Sequence, residues 1–329
     1  MVVAYSVLGG MWLITLTDMM QFVFMTVGIF LVLLPFSLSA AGGWTGLEDR
    51  LDATFFTWDG MGTQAIVTQF VVYGFGMLIG QDIWQRVFTA RSPQVARWGG
   101  LASAAYVALY GVAGAVIGMT AAAVAPDLSS PDDAFATMAQ QYVPAGLGGV
   151  VLAAGVAAMM STASGALIAA ATVARVDVVP TLRSLLTRHA APAPEGTAEA
   201  LRGDLLYVLV FGVVITVISI FVSDTVTALT IAYDILVGGL LVAILGGLLW
   251  RRGTSLGAAL SMLVGSVVTV ASMAVFGVLA NAPIYLGLAS SALVYVVVSL
   301  LSRPTHAGVL RQWNERLAGS GADRAEARP

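Results

Sequence analysis

Gly155-Val-Ala-Ala-Met-Met-Ser-Thr-Ala-Ser-Gly165 sets two adjacent hydroxyls, Ser161 and Thr162, in the middle of an apolar run from Gly148 to Val176. An α-helix rises about 1.5 Å per residue, so such a run is long enough to cross roughly 30 Å of hydrocarbon. Ala158, Ser161 and Thr162 stand at i, i+3 and i+4, which places them on one face of that helix. Hydroxyls and carbonyls without imidazole or thiolate suit a hard cation. The same stretch has a plainer reading. Membrane helices commonly turn serine and threonine hydroxyls back to the i−4 carbonyl, and Ala154, Ala158, Ser161 and Gly165 form a small-residue packing face.

The rest of the chain has the same character. Of its 329 residues 58% are hydrophobic and only 10% charged, and the mean hydropathy is +0.90. That composition belongs to a chain that lives in a bilayer. About eight apolar runs are long enough to span: Gly10–Ala40, Thr63–Gly80, Trp98–Val124, Gly148–Val176, Leu205–Phe221, Val226–Leu249, Leu256–Leu279 and Ile284–Leu301. Only Ala41–Gly62, Ala125–Leu147 and Asp177–Asp204 are long connections, and Ala190–Ala200, rich in Ala and Pro, reads as a flexible loop. The fold class is an all-α polytopic membrane protein with one membrane domain.

Several functions are excluded by residue content. The absence of cysteine removes disulfide, thiol and thiolate-metal chemistry, and His189 and His306 fall in polar stretches. A net charge of −3 offers no basic surface for nucleic acid, and no hydrolase triad spacing or phosphate-binding loop is present. The chain reads as no enzyme, with no cofactor.

All 15 basic residues are arginines. Arg86, Arg91, Arg97, Arg175, Arg183, Arg188, Arg202, Arg251, Arg252 and those from Arg303 to Arg328 collect on one side of the expected spans, and Arg50 alone on the other. The positive-inside rule makes the first side cytoplasmic. An even helix count then puts both termini inside a plasma or inner membrane.

Four motifs together resemble the sodium:solute symporter family: Tyr5-Ser-Val-Leu-Gly-Gly10 with Thr17-Asp18 and Gln21; Gly80-Gln-Asp-Ile-Trp-Gln-Arg86 leading to Ala90-Arg91-Ser92; Ala157-Ala-Met-Met-Ser-Thr162; and Leu248-Leu-Trp-Arg251. The resemblance runs in family order over roughly residues 5 to 260. It implies an inverted-repeat fold of the leucine-transporter type. Residues 1–302 would form the transporter domain, holding the fifth to tenth core helices plus two more, and residues 303–329 a cytoplasmic tail. Met1 opens directly into Val-Val-Ala-Tyr-Ser, without a polar lead or a signal peptide. On the family alignment the first four core helices, and with them part of the sodium cage, would lie in a missing N-terminal fragment.

The resemblance implies symport: a small organic solute carried with sodium across the bilayer by alternating access. Its sodium ligands map onto Ala158, Ser161 and Thr162. Where many relatives continue with Asp-Ser, this chain has Ser164-Gly165. The alternatives are a remnant that does not transport alone, or a membrane sensor or accessory module. Substrate identity and the choice of sodium or proton are not legible.

Intramembrane carboxylates cost about 3 kcal/mol on insertion scales, so they mark function by default. Asp18 matches the family Thr-Asp pair and is the expected ion-path or coupling residue, or else a helix-end carboxylate in interfacial water. Asp234 either faces substrate or pairs with a polar neighbour. Tyr73 and Phe75, in the glycine-rich Tyr73-Gly-Phe-Gly-Met-Leu-Ile-Gly80, match the family's aromatic gate, and these glycines suit either a broken helix or close helix packing. Asp82 is expected to pair with Arg86 at i+4. Ala243 stands where many relatives have proline.

Overall fold

The computed structural model describes residues 2–128, 130–182, 198–221 and 224–317. Arg183, Arg188, Arg324, Arg328, His189 and most of the Ala190–Ala200 loop lie outside them. The described residues form helices and no strand. Among the described residues six helices are long and apolar enough to cross a membrane: Trp12–Ala40, Pro93–Val124, Ala145–Leu182, Thr225–Leu249, Ser255–Phe276 and Ala282–Leu301. The expected Thr63–Gly80 span is a broken one, Thr63–Ile79 followed by Gln81–Phe88, and the expected Leu205–Phe221 span holds a shorter apolar stretch, Leu206–Ile220.

The chain divides into two compact units. The first holds residues 1–60 and 81–223. Its helices are α1 (Val2–Thr26), α2 (Leu34–Ala40), α3 (Gly43–Arg50), α6 (Gln81–Phe88), α7 (Pro93–Val124), α8 (Ala134–Gln141), α9 (Ala145–Val173) and α10 (Ala198–Phe221). The second unit, residues 61–80 and 224–329, holds α4 (Thr63–Gln69), α5 (Phe75–Ile79), α11 (Thr225–Leu236), α12 (Val242–Leu249), α13 (Ser255–Phe276), α14 (Ala282–Leu301) and α15 (Ala307–Leu317).

In the first unit α9 is the hub, with α1, α6, α8 and α10 packed on it. Its central sequence carries no residue larger than Met, so neighbours approach closely. Gly28 shows how closely: a Cβ there would overlap the Ala154 side chain of α9. The core beside this crossing is Ile29, Val32, Leu33, Ala113, Ile117, Met138 and Val151. Local chemistry starts the long α7, where Ser92 caps the Val95 amide at 3.2 Å and Pro93 occupies the first turn.

The second unit is built on the α13–α14 hairpin. Gly257, Ser261, Gly265 and Thr269 recur every four residues on α13, opposite Gly287, Ser291, Tyr295 and Ser299 on α14, and all eight are buried. A Cβ at Gly257 would overlap the Ser299 hydroxyl, and one at Gly287 the Thr269 hydroxyl. Lipid gives helices no hydrophobic reason to associate, so close van der Waals packing of small residues does it. The outward faces are the large ones: Leu263, Val267 and Leu293 are each more than half exposed. Such an apolar exterior fits lipid and not water.

Four π-helical turns interrupt the spans, at Val27–Leu33, Phe70–Gly74, Ala174–Val178 and Val237–Leu241. Such turns are rare and gather at functional sites. The break expected among the glycines of residues 73–80 falls at the last of them, Gly80, whose backbone is extended (φ −64°, ψ 120°). Ala243 sits in regular helix, buried, just after the π-turn that distorts this span instead. The tail, expected to be partly disordered, contains helix α15.

Candidate functional site

In the first unit three helices meet at the motif that opened the sequence. Ser161 of α9 is half-buried and Thr162 exposed. The Thr162 hydroxyl donates to the Ala158 carbonyl at 3.3 Å, the i−4 bond of the plainer reading, made between two of the three expected sodium ligands. The Ser161 carbonyl is doubly occupied, by the Ser164 hydroxyl at 3.0 Å and by Arg86 Nη2 at 3.3 Å. From α1 the Tyr5 hydroxyl donates to the Met160 carbonyl at 3.2 Å, joining the first motif to the third.

Arg86 is the residue whose role spacing mispredicts. Instead of pairing with Asp82 one turn away, its Nη2 reaches Asp18 Oδ2 of α1 at 3.0 Å. The reason is electrostatic and steric. An i, i+4 pair of Asp82 and Arg86 within α6 would gain little, whereas Asp18, mostly buried, gains its counter-charge. Gly165 makes the approach possible, because a Cβ there would come within 3.1 Å of Arg86 Nη2. The sequence departure at Ser164-Gly165 therefore has a structural counterpart: serine bonds the helix backbone and glycine leaves room for the guanidinium. The other Asp18 oxygen, Oδ1, is buried and without a hydrogen-bond partner, as is Gln21 Oε1 three residues on.

In the second unit Tyr73 lies in the π-turn Phe70–Gly74. Its hydroxyl is 3.4 Å from the Thr230 hydroxyl and its ring meets Tyr233 edge-on, centroids 5.3 Å apart. Phe75 does not join this cluster and is 39% exposed. Gly76 lies flat against the Tyr233 ring, where a Cβ would overlap it, which makes at least this glycine a close-packing residue. Asp234, one turn after Thr230, is 1% exposed, and its Oδ1 has no hydrogen-bond partner. Spacing gave no sign of that isolation; the expected polar neighbour is not bonded to this oxygen. At the start of the same span, Asp224 caps α11 by accepting the Thr227 amide at 2.8 Å, and that bond holds its carboxyl below the usual carboxylate range. No group of three or more His, Cys, Asp or Glu among the described residues is placed to hold a metal ion.

Long apolar helices, mid-span π-turns and carboxylates inside the spans define a polytopic membrane protein built around polar sites. The model of the sodium:solute symporter family matches residues 1–265, and the chain belongs to that family. No curated protein matches it. Among solved structures it is similar to the substrate-bound, outward-open state of a Na+-coupled sialic acid symporter, with 16% identity and a TM-score of 0.74. The match covers 93% of this chain and 66% of that one, so the chain spans just under two thirds of the structure it resembles. The shared fold is the inverted-repeat, leucine-transporter type.

Proposed function

We propose that the chain works as a sodium-coupled secondary active transporter of a small organic solute, by alternating access. The observation that carries this reading is family membership over residues 1–265, beside the Ala158, Ser161 and Thr162 oxygens that share one face of α9. These three residues supply part of the sodium shell. Asp18, with Oδ1 free of hydrogen bonds, lies on the ion path, and Arg86 holds its other oxygen.

Tyr73 and Phe75 are proposed as gate residues, with Asp234 in the same functional group. Tyr73, tied to Thr230 and Tyr233 beside a π-turn, is the better supported of the aromatics. Residues 1–302 form the transporter domain and 303–329 the tail. Both termini face the cytoplasm from a plasma or inner membrane, as the arginine asymmetry supports. The drive is the sodium gradient plus about 2.3 kcal/mol per charge per 100 mV of membrane potential. Family membership points to transport and away from catalysis.

Radiosodium binding to the purified chain in lipid vesicles tests the proposal. Saturable binding displaced by unlabelled sodium but not by choline is expected, weakened when Ser161 and Thr162 are both alanine. Binding that the double variant leaves unchanged sinks the site.

A further inference from the structure

Asp234 presents a charge problem that the second unit does not solve. The side chain is 1% exposed, and Oδ1 has no partner. α11 packs against α13, α14, α5 and the π-turns Phe70–Gly74 and Val237–Leu241. Neither α13, α5 nor the second π-turn carries an ionisable residue. The first π-turn contributes Tyr73, α14 contributes Tyr285 and Tyr295, and α11 itself adds Tyr233. Tyr73 is engaged with Thr230, Tyr285 shares a hydrogen bond with Thr68 at 3.1 Å, and Tyr295 lies against Trp250. No arginine, lysine or histidine stands on any of these helices. The basic residues next in sequence, Arg251 and Arg252, follow α12, and Arg252 donates to the Leu300 and Ser302 carbonyls.

A bare carboxylate in such a place costs several kcal/mol, and a buried acid without a counter-ion neutralises itself instead. The neutralising species has to be small. A metal ion would need several oxygens and room for its shell, and no second carboxylate stands on the packed helices. The Thr269 hydroxyl donates to the Gly265 carbonyl at 2.8 Å, and the Thr230 hydroxyl is engaged with Tyr73. A proton needs neither a cavity nor further ligands.

We infer that Asp234 is a proton-binding site: a carboxylic acid held neutral within the second unit, whose proton exchanges with water. The local step is simple, since the O–H bond of the acid breaks, water takes the proton, and the carboxylate persists only while hydrated. Coupling of this step to solute movement rests on the transport reading above; the protonation itself does not.

Infrared spectroscopy of the full chain in vesicles at neutral pH reads the proton directly. The expected result is a carbonyl stretch of a protonated acid that moves when aspartate is carbon-labelled. It should be absent in Asp234→Asn, shifted but retained in Asp234→Glu, and untouched in Asp18→Asn. Absence of the band in the unmodified chain, or its survival in Asp234→Asn, overturns the proton site. If Asp234→Asn does not fold, the labelling and the Asp234→Glu shift decide alone, and a band that neither moves overturns the proposal. Vesicles that bind radiosodium without the band refute the proton site and leave the transport reading standing; vesicles with the band and no sodium binding do the reverse.

Discussion

Asp18 and Asp234 are both aspartates within apolar spans, one in each compact unit, and the structure treats them oppositely. Asp18 has Arg86 at 3.0 Å, and the same guanidinium donates to the Ser161 carbonyl of α9. Asp234 is buried on α11, with no basic residue on α13, α14, α5 or the two π-turns packed against it. The residue type is identical; what differs is whether a basic partner is bonded to it. An intramembrane acid therefore marks a functional position, but its chemistry is written by the helices that pack on it.

The largest effect should follow from removing the partner that only one of them has. Arg86→Ala leaves the mostly buried Asp18 carboxylate without its partner and should lower stability by about 2 kcal/mol, measured by thermal unfolding in detergent. Asp18→Asn in the same background should restore part of the loss; no restoration would break the contrast. The mirror experiment is Asp234→Leu. Removing an unpartnered acid should stabilise the second unit by about 2 kcal/mol, and a fall in unfolding temperature would show that the carboxyl has a bonded partner after all.

Next in size, Ser161→Ala with Thr162→Ala should raise the sodium concentration for half-saturation about tenfold, equivalent to about 1.4 kcal/mol, while leaving the infrared band of Asp234 in place. A joint loss would tie the two regions together and blur the comparison. The smallest effect concerns Asp224, the capping carboxylate at the start of the Asp234 helix. Its folded-state pKa is depressed by the Thr227 amide, so the cap stabilises above the ordinary carboxylate range and is lost as pH falls through the depressed value. Asp224→Ala should lower the unfolding temperature slightly at neutral pH and not at all in acid, whereas an effect unchanged across pH would exclude the cap.

How legible this molecule is from its residues depends on the kind of feature. Spans such as Ser255–Phe276 are read from apolar length alone, because the bilayer sets that length. The α9 face is legible too, since Ala158, Ser161 and Thr162 share it by helical spacing. Two things are not. Arg86 looks one turn back to Asp82 by local pairing, and only the packing of α1 and α6 on α9 shows that its partner stands 68 residues away. The isolation of Asp234 is equally invisible in sequence, because it depends on which helices pack around α11. The broken Thr63–Gly80 span lies between these cases: its glycines announce an irregularity, but only Gly80 carries the extended backbone.

The α13–α14 hairpin carries a mechanical consequence. With Gly257 against Ser299, Gly265 against Ser291 and Gly287 against Thr269, the two rods are meshed like teeth along nearly their whole length. Sliding by even a fraction of a turn would drive a hydroxyl into a backbone, so the pair can only swing as one stiff beam. The Val237–Leu241 turn that follows Asp234 is geared into the same beam, since a Cβ at Gly238 would overlap the Thr269 hydroxyl and one at Gly239 the Ser266 hydroxyl.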